Sequence, residues 1–131
     1  MKRKASLLAL FTFLLTLCCG IYYCQEVDLS GTWKGTTEVP EESEQDQLTL
    51  ILEKADGEYT GTITDSLGFA DEAQLEDVEF KDNTLTFNFT IFDGTEYTQV
   101  YATLTVEGNK MSGYWETEDG TSSQVELEKI D

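Results

Sequence analysis

The chain has no histidine, and its only three cysteines lie at or before position 24. Without histidine, imidazole general-base catalysis and His–metal sites are excluded. With no cysteine past Cys24, the folded part has neither an internal disulfide nor a thiol nucleophile. Cys24 itself reads as an idle thiol. Proline occurs once, at Pro40, in what reads as a loop, where its missing N–H costs no ladder bond. Positive charge is scarce. Beyond residue 23 there are five lysines against 26 acids. That balance excludes nucleic acid as a partner, because phosphate binding needs a cationic surface. It keeps the chain soluble and attracts cations. No phosphate-cradling glycine loop is present. The Asp-Gly pairs at 56, 93 and 119 lack the Asp-x-Asp-x-Asp-Gly pattern of a calcium loop and read as hairpin turns.

The one long uncharged run is Ala5 to Tyr23, rich in Leu and Phe and preceded by the basic cluster Lys2-Arg3-Lys4. Basic flank, apolar run and then small residues is the layout of a secretory signal, with Cys18 and Gly20 at the sensitive positions if cleavage follows Gly20. Residues 1–23 are therefore read as a signal peptide or N-terminal membrane anchor, 24–28 as a short tail, and 29–131 as one folded domain. Three fates follow, in order of preference. The first is plain export. The second is lipid attachment at Cys18 or Cys19, since Leu15-Thr16-Leu17-Cys18 resembles a bacterial lipobox, with Leu17 where a small residue is expected. The third is an uncut helix, for which the run is long enough to span a bilayer. All three send the protein to the cell envelope or beyond.

In the remainder, apolar residues recur at every second position in short runs cut by Gly, Asn and Asp, which is strand spacing. Eight runs stand out: 31–37, 47–54, 59–65, 72–80, 84–92, 97–106, 111–117 and 123–130. The fifth, with Leu85, Phe87, Phe89 and Ile91, alternates most cleanly. In the fourth, Val78 and Phe80 share a phase that Leu75 breaks, which points to a bulge or a loop residue. Short connections make neighbours antiparallel. Eight such strands, each with one apolar face, predict an all-β fold, an eight-stranded antiparallel up-and-down barrel. Gly35, Gly61 and Gly113 suit its corners.

Gly31-Thr32-Trp33 at the head of the first strand resembles the Gly-x-Trp signature of lipocalin-like, or calycin, barrels. Ser30–Thr37, Tyr59–Ile63 and Met111–Trp115 are also similar to small secreted bacterial domains of that type. The resemblance implies that Trp33, introduced by Gly31, plugs the closed end, and that a basic side chain of the last strand, Lys129, packs across it. The chain is shorter than typical lipocalins and lacks their disulfides and helix.

Strand direction then sorts the charges. All five lysines fall at or near the end marked by Trp33, while the other end carries thirteen acids and no base. Such a rim favours a cation, a basic peptide or a divalent metal. If the N-terminus is tethered, the lysines face the membrane and the acidic mouth faces away. The interior is expected to hold no Asp or Glu, so no carboxyl is set up as a general acid. Leu67, Phe69, Tyr97 and Trp115 lie toward the open end as candidate ligand-binding residues. As barrel-end caps and girdle aromatics they need no such role.

The reading is an exported, non-catalytic, monomeric binding protein, with no cofactor and no metal implied. Its first form takes a small apolar or cationic ligand at the acidic mouth. Its second is a protein-interaction module, an inhibitor or envelope accessory lipoprotein, with a solid barrel whose loops 38–46 and 66–71 make the contacts. Interior volume separates the two, since a ligand pocket near Trp115 needs about 300 Å³ or more.

Overall fold

The computed structural model describes residues 27–131. The readings for segment 1–23, for most of the tail and for Cys18 and Cys19 lie outside the described residues.

Nine strands form one antiparallel sheet: β1 (Gly31–Thr37), β2 (Asp46–Ala55), β3 (Glu58–Asp65), β4 (Ala73–Gln74), β5 (Glu76–Lys81), β6 (Thr84–Phe92), β7 (Tyr97–Glu107), β8 (Lys110–Thr117) and β9 (Ser122–Lys129). Their order is β4-β3-β2-β1-β9-β8-β7-β6-β5, so the first and last strands lie side by side, Trp33 facing Lys129. The expected eight strands are thus nine, because the fourth run is divided between two partners. Ala73 and Gln74 pair with Ile63 and Thr62 of β3, and the Leu75 N–H donates to Gly61 O at 3.0 Å. From Glu76 onward the chain runs beside β6 instead, facing Asn88 and then Thr86 and Leu85.

The reason is a phase change. Leu75 is buried at 6 % exposure, while Val78 and Phe80 pack against the core from the opposite parity. Moving from one phase to the other requires an inserted residue. A bulge between Glu76 and Glu79 supplies it, with Asp77 in the left-handed region at φ 51°. The two edges of the sheet are therefore consecutive pieces of one segment, and the barrel is nearly closed. A groove remains beside the lower half of this seam, between Tyr59 and Val78–Phe80. There the Tyr59 and Phe80 rings meet edge to face, 6.3 Å between centroids.

Two-residue alternation fills the lumen. Leu48, Leu50 and Leu52 of β2, Leu85, Phe87 and Phe89 of β6, and Val100, Ala102, Leu104 and Val106 of β7 are all buried. Each of the Leu, Phe and Val side chains contributes about 1.5–3 kcal/mol on leaving water. Tight coiling brings the strands close where they bear no side chain. A Cβ on Gly35 would lie 1.7 Å from Glu126 O, and one on Gly113 would lie 1.9 Å from Thr103 O. Only hydrogen fits at these positions. The turns Asp56-Gly57 and Asp82-Asn83 put both central residues at positive φ, as two-residue hairpins need.

At the end where β1 begins, Trp33 is 1 % exposed, and its indole N–H donates to Leu29 O at 2.9 Å. The Lys129 ammonium lies 6.0 Å from the Trp33 ring centroid. Gly31 sits at φ 129°, and a Cβ there would meet Asp131 O at 2.3 Å.

Leu75 fills the lumen and joins the two edges, so Leu75→Ala is expected to cost about 2–4 kcal/mol in urea unfolding. Ile51→Ala, on the outer face of β2 with Ile51 at 39 % exposure, is expected to cost under about 1 kcal/mol. Equal losses would contradict closure at Leu75.

Candidate functional site, an acid-lipped cavity

The alternation that fills the core does not stop where the apolar residues do. Asp46 lies two residues before Leu48 and Asp65 two residues after Ile63, so both share the inward phase. Their side chains are 3 % and 9 % exposed. This corrects the expectation of an interior free of carboxylates, and strand parity is the signal that identifies the two residues. Polarity alone assigned them to the solvated rim.

What keeps them inside is the backbone of the connection between β3 and β4. Asp46 Oδ1 accepts from the Leu67 N–H at 3.2 Å and from Ser66 Oγ at 3.3 Å. Asp65 Oδ1 accepts from the Ala70 N–H at 2.6 Å, and the Asp65 N–H returns a bond to Ala70 O at 3.1 Å. The Glu72 N–H donates to Thr64 Oγ1 at 3.0 Å, and the Phe92 N–H donates to Phe69 O at 3.2 Å. The connection is thereby strapped across the open end. The strap satisfies one oxygen of Asp65 and leaves the other bare. Asp65 Oδ2 is the one buried side-chain polar atom among the described residues without a hydrogen-bond partner.

Beneath the strap lies a cavity of about 110 Å³. Its wall is apolar: Ile63, Phe69, Phe87, Phe89, Ile91, Val100, Trp115 and Val125, with Thr37, Asp46 and Asp65 among the lining residues. Its polar donors are already committed. The Trp115 indole N–H donates to Thr37 Oγ1 at 2.8 Å, and the Thr37 hydroxyl donates to Gln124 O at 2.6 Å. The volume is well short of the roughly 300 Å³ at which drug-sized ligand pockets begin. It is comparable to engineered apolar cavities of about 150 Å³ that admit benzene or xenon.

Of the four residues singled out toward this end, Phe69 and Trp115 line the cavity. Leu67 contributes its backbone N–H to Asp46. Tyr97 points outward at 76 % exposure and packs against Phe92, 4.9 Å between centroids. Among the described residues no group of three or more His, Cys, Asp and Glu converges as a metal would require.

Electrostatically Asp46 differs from the turn acid Asp119. Asp119, exposed and hydrogen-bonded by Thr117 and Thr121, is drawn down to about 2. Asp46 is pushed up to about 6, first by burial, then by the neighbouring Asp65 carboxyl; the bonds from Leu67 and Ser66 oppose this. Near pH 6 and below, Asp46 therefore holds a proton. No family model, no curated protein and no solved structure matches the chain.

The folded state keeps the Asp46 proton up to about pH 6, whereas the ordinary value is 3.8. Between these values the fold binds more protons than the unfolded chain, so stability falls as pH rises. This contribution is fully present below about pH 3.8 and gone above about pH 6. Asp46→Asn keeps an acceptor for Leu67 and carries no charge. The wild type is expected to lose roughly 1–3 kcal/mol relative to this variant between pH 4 and pH 7. Urea titrations of both proteins at each pH measure the difference. Parallel curves would contradict the assignment.

Proposed function

We propose that the chain is an exported, non-catalytic binding protein of lipocalin-like type, whose ligand enters at the acidic open end and seats a compact group in the lumen. The observation that carries this reading is the apolar cavity beside Trp115 with two carboxyls among its lining. The lipocalin-like part rests on Gly31-Thr32-Trp33 opening the first strand, on Lys129 over the Trp33 ring, and on the nearly closed antiparallel sheet. Export rests on the basic and apolar segments that precede the barrel.

A raised carboxyl pKa is also what a general acid needs. Here the raised carboxyl holds the strap, and the donors of the cavity wall are spent on one another, so no group is poised to stabilise developing negative charge. The small volume favours ligands with few heavy atoms over a lipid chain.

A second reading, a protein-interaction module, is favoured by two features: the cavity of about 110 Å³ falls short of the roughly 300 Å³ of a drug-sized ligand pocket, and aromatic side chains stand exposed on three strands. Phe92, Tyr97, Tyr101 and Tyr114 stand 42–76 % exposed on β6, β7 and β8, and aromatic residues of this kind are enriched at protein interfaces.

The two indoles provide the test, because Trp115 lines the cavity and Trp33 plugs the opposite end. Benzene added to ¹⁵N-labelled protein is expected to shift the Trp115 indole N–H and the Ile63 and Val125 amides, leaving the Trp33 indole unmoved. No shift at Trp115 at saturating benzene would contradict ligand binding in the lumen and favour the second reading.

A further inference from the structure

Among the described residues, the lumen leaves one buried side-chain polar atom without a hydrogen-bond partner. Trp115, Thr37, Ser66 and the Ala70 N–H all have partners. Asp65 is nine-tenths buried, lines the cavity, and leaves Oδ2 without a donor. A buried acceptor without a donor is destabilising, and more so when charged. The ligand's polar group must therefore be a donor, and a cationic one, because the cavity-lining residues include two carboxyls and no lysine.

We propose that Asp65 and Asp46 form the recognition site for a primary ammonium group bearing a compact apolar substituent, the ammonium docking between the carboxyls and the substituent filling the cavity. This deepens the binding-protein reading above and rests on it.

The class follows from what each alternative lacks. Calcium and magnesium need six or more oxygen ligands and zinc three or four protein ligands, and two carboxyls beside an apolar wall supply too few. A quaternary ammonium has no N–H for Oδ2. A guanidinium is broader, with five donors in a fixed fork, and the apolar wall offers no acceptors for the remainder. An ammonium brings three donors, one for Asp65 Oδ2, one for Asp46, and one toward the mouth. A cavity of about 110 Å³ leaves room for a substituent of about four to six carbons, judged against the slightly larger cavity that takes benzene. Oδ2 lies buried in the structure, so docking moves the strap 66–72 aside. Any proton on Asp46 leaves to solvent as the ammonium arrives, and the breaking of that O–H bond is the one covalent change. Among the cavity-lining residues Asp65 is the only other ionisable side chain facing Asp46. Binding should therefore strengthen as pH rises toward 7.

The ammonium can belong to a free amine or to the N-terminus of a peptide beginning with an apolar residue, and the test separates these sources. Calorimetry and ¹⁵N NMR at pH 7 in 0.3 M salt would compare 3-methylbutylamine, its neutral isostere 3-methylbutan-1-ol, and the dipeptide amide Leu-Gly. High salt screens the general attraction of an acidic surface for cations.

The amine is expected to bind about tenfold or more tighter than the alcohol and to shift the Ala70 amide. The preference should vanish in Asp65→Asn and persist in Glu96→Gln, a charge removed from an exposed turn. Asp46→Asn, which keeps the Leu67 acceptor, serves as a second variant should Asp65→Asn fail to fold. Binding of Leu-Gly amide with the same Asp65 dependence assigns the site to peptide N-termini, and its failure beside a binding amine assigns it to free amines. Equal affinity for amine and alcohol, or an amine preference surviving in both Asn variants, overturns the ammonium site while leaving the binding lumen intact. Failure of amine, alcohol and benzene alike overturns both.

Discussion

Two carboxylates held inside a barrel by strand parity are the constraint on which the open end depends. β2 and β3 bury every second side chain, and the period carries past the last leucine and isoleucine to Asp46 and Asp65. Isolated there, each would be costly. Their oxygens instead accept backbone N–H groups of the 66–72 connection that no sheet partner serves. The connection is thus held by the acids it covers, and the cavity beneath it exists because the strap is fastened at the lip while no side chain fills the space below. The unmatched oxygen of Asp65 and the raised Asp46 are two consequences of the same burial.

The other end is built on the opposite principle. Trp33 fills it, its N–H is satisfied by Leu29, and Lys129 stands over the ring. Strand directions place Lys54, Lys81, Lys110 and Lys129 toward this end and the long acidic loop 38–45 toward the other. The molecule therefore has a sealed pole where the lysines stand among acids such as Asp56, Asp82 and Asp131, and an opposite pole of acids with a shallow apolar interior. A cation approaching the protein is drawn to the second, where Asp65 Oδ2 lies buried without a donor.

Much of the fold was legible because alternation is strong. β1 and β6 begin and end where the apolar pattern does, and the Asp56-Gly57 turn carries the dihedral signature that its residues demand. The phase break at Leu75 was visible as a suspected bulge. Its larger effect, dividing one run between β3 and β6, was hidden because pairing partners are a tertiary property that a local pattern does not encode. Asp46 and Asp65 were misassigned for a related reason. Residue type outweighed parity, although Leu48 and Ile63, each two positions away, placed both acids inward. Cavity volume was beyond reach from sequence, since it depends on how Phe87, Phe89 and Trp115 pack rather than on their presence.

The titration of Asp46 tests the buried carboxyl pair most directly. Side-chain ¹³C NMR of the carboxyl carbons, followed from pH 3 to pH 8, resolves each aspartate. The account predicts a midpoint near pH 6 for Asp46, with the Leu67 and Ala70 amides moving in step. A midpoint near the ordinary 3.8, with those amides unresponsive around pH 6, would contradict it.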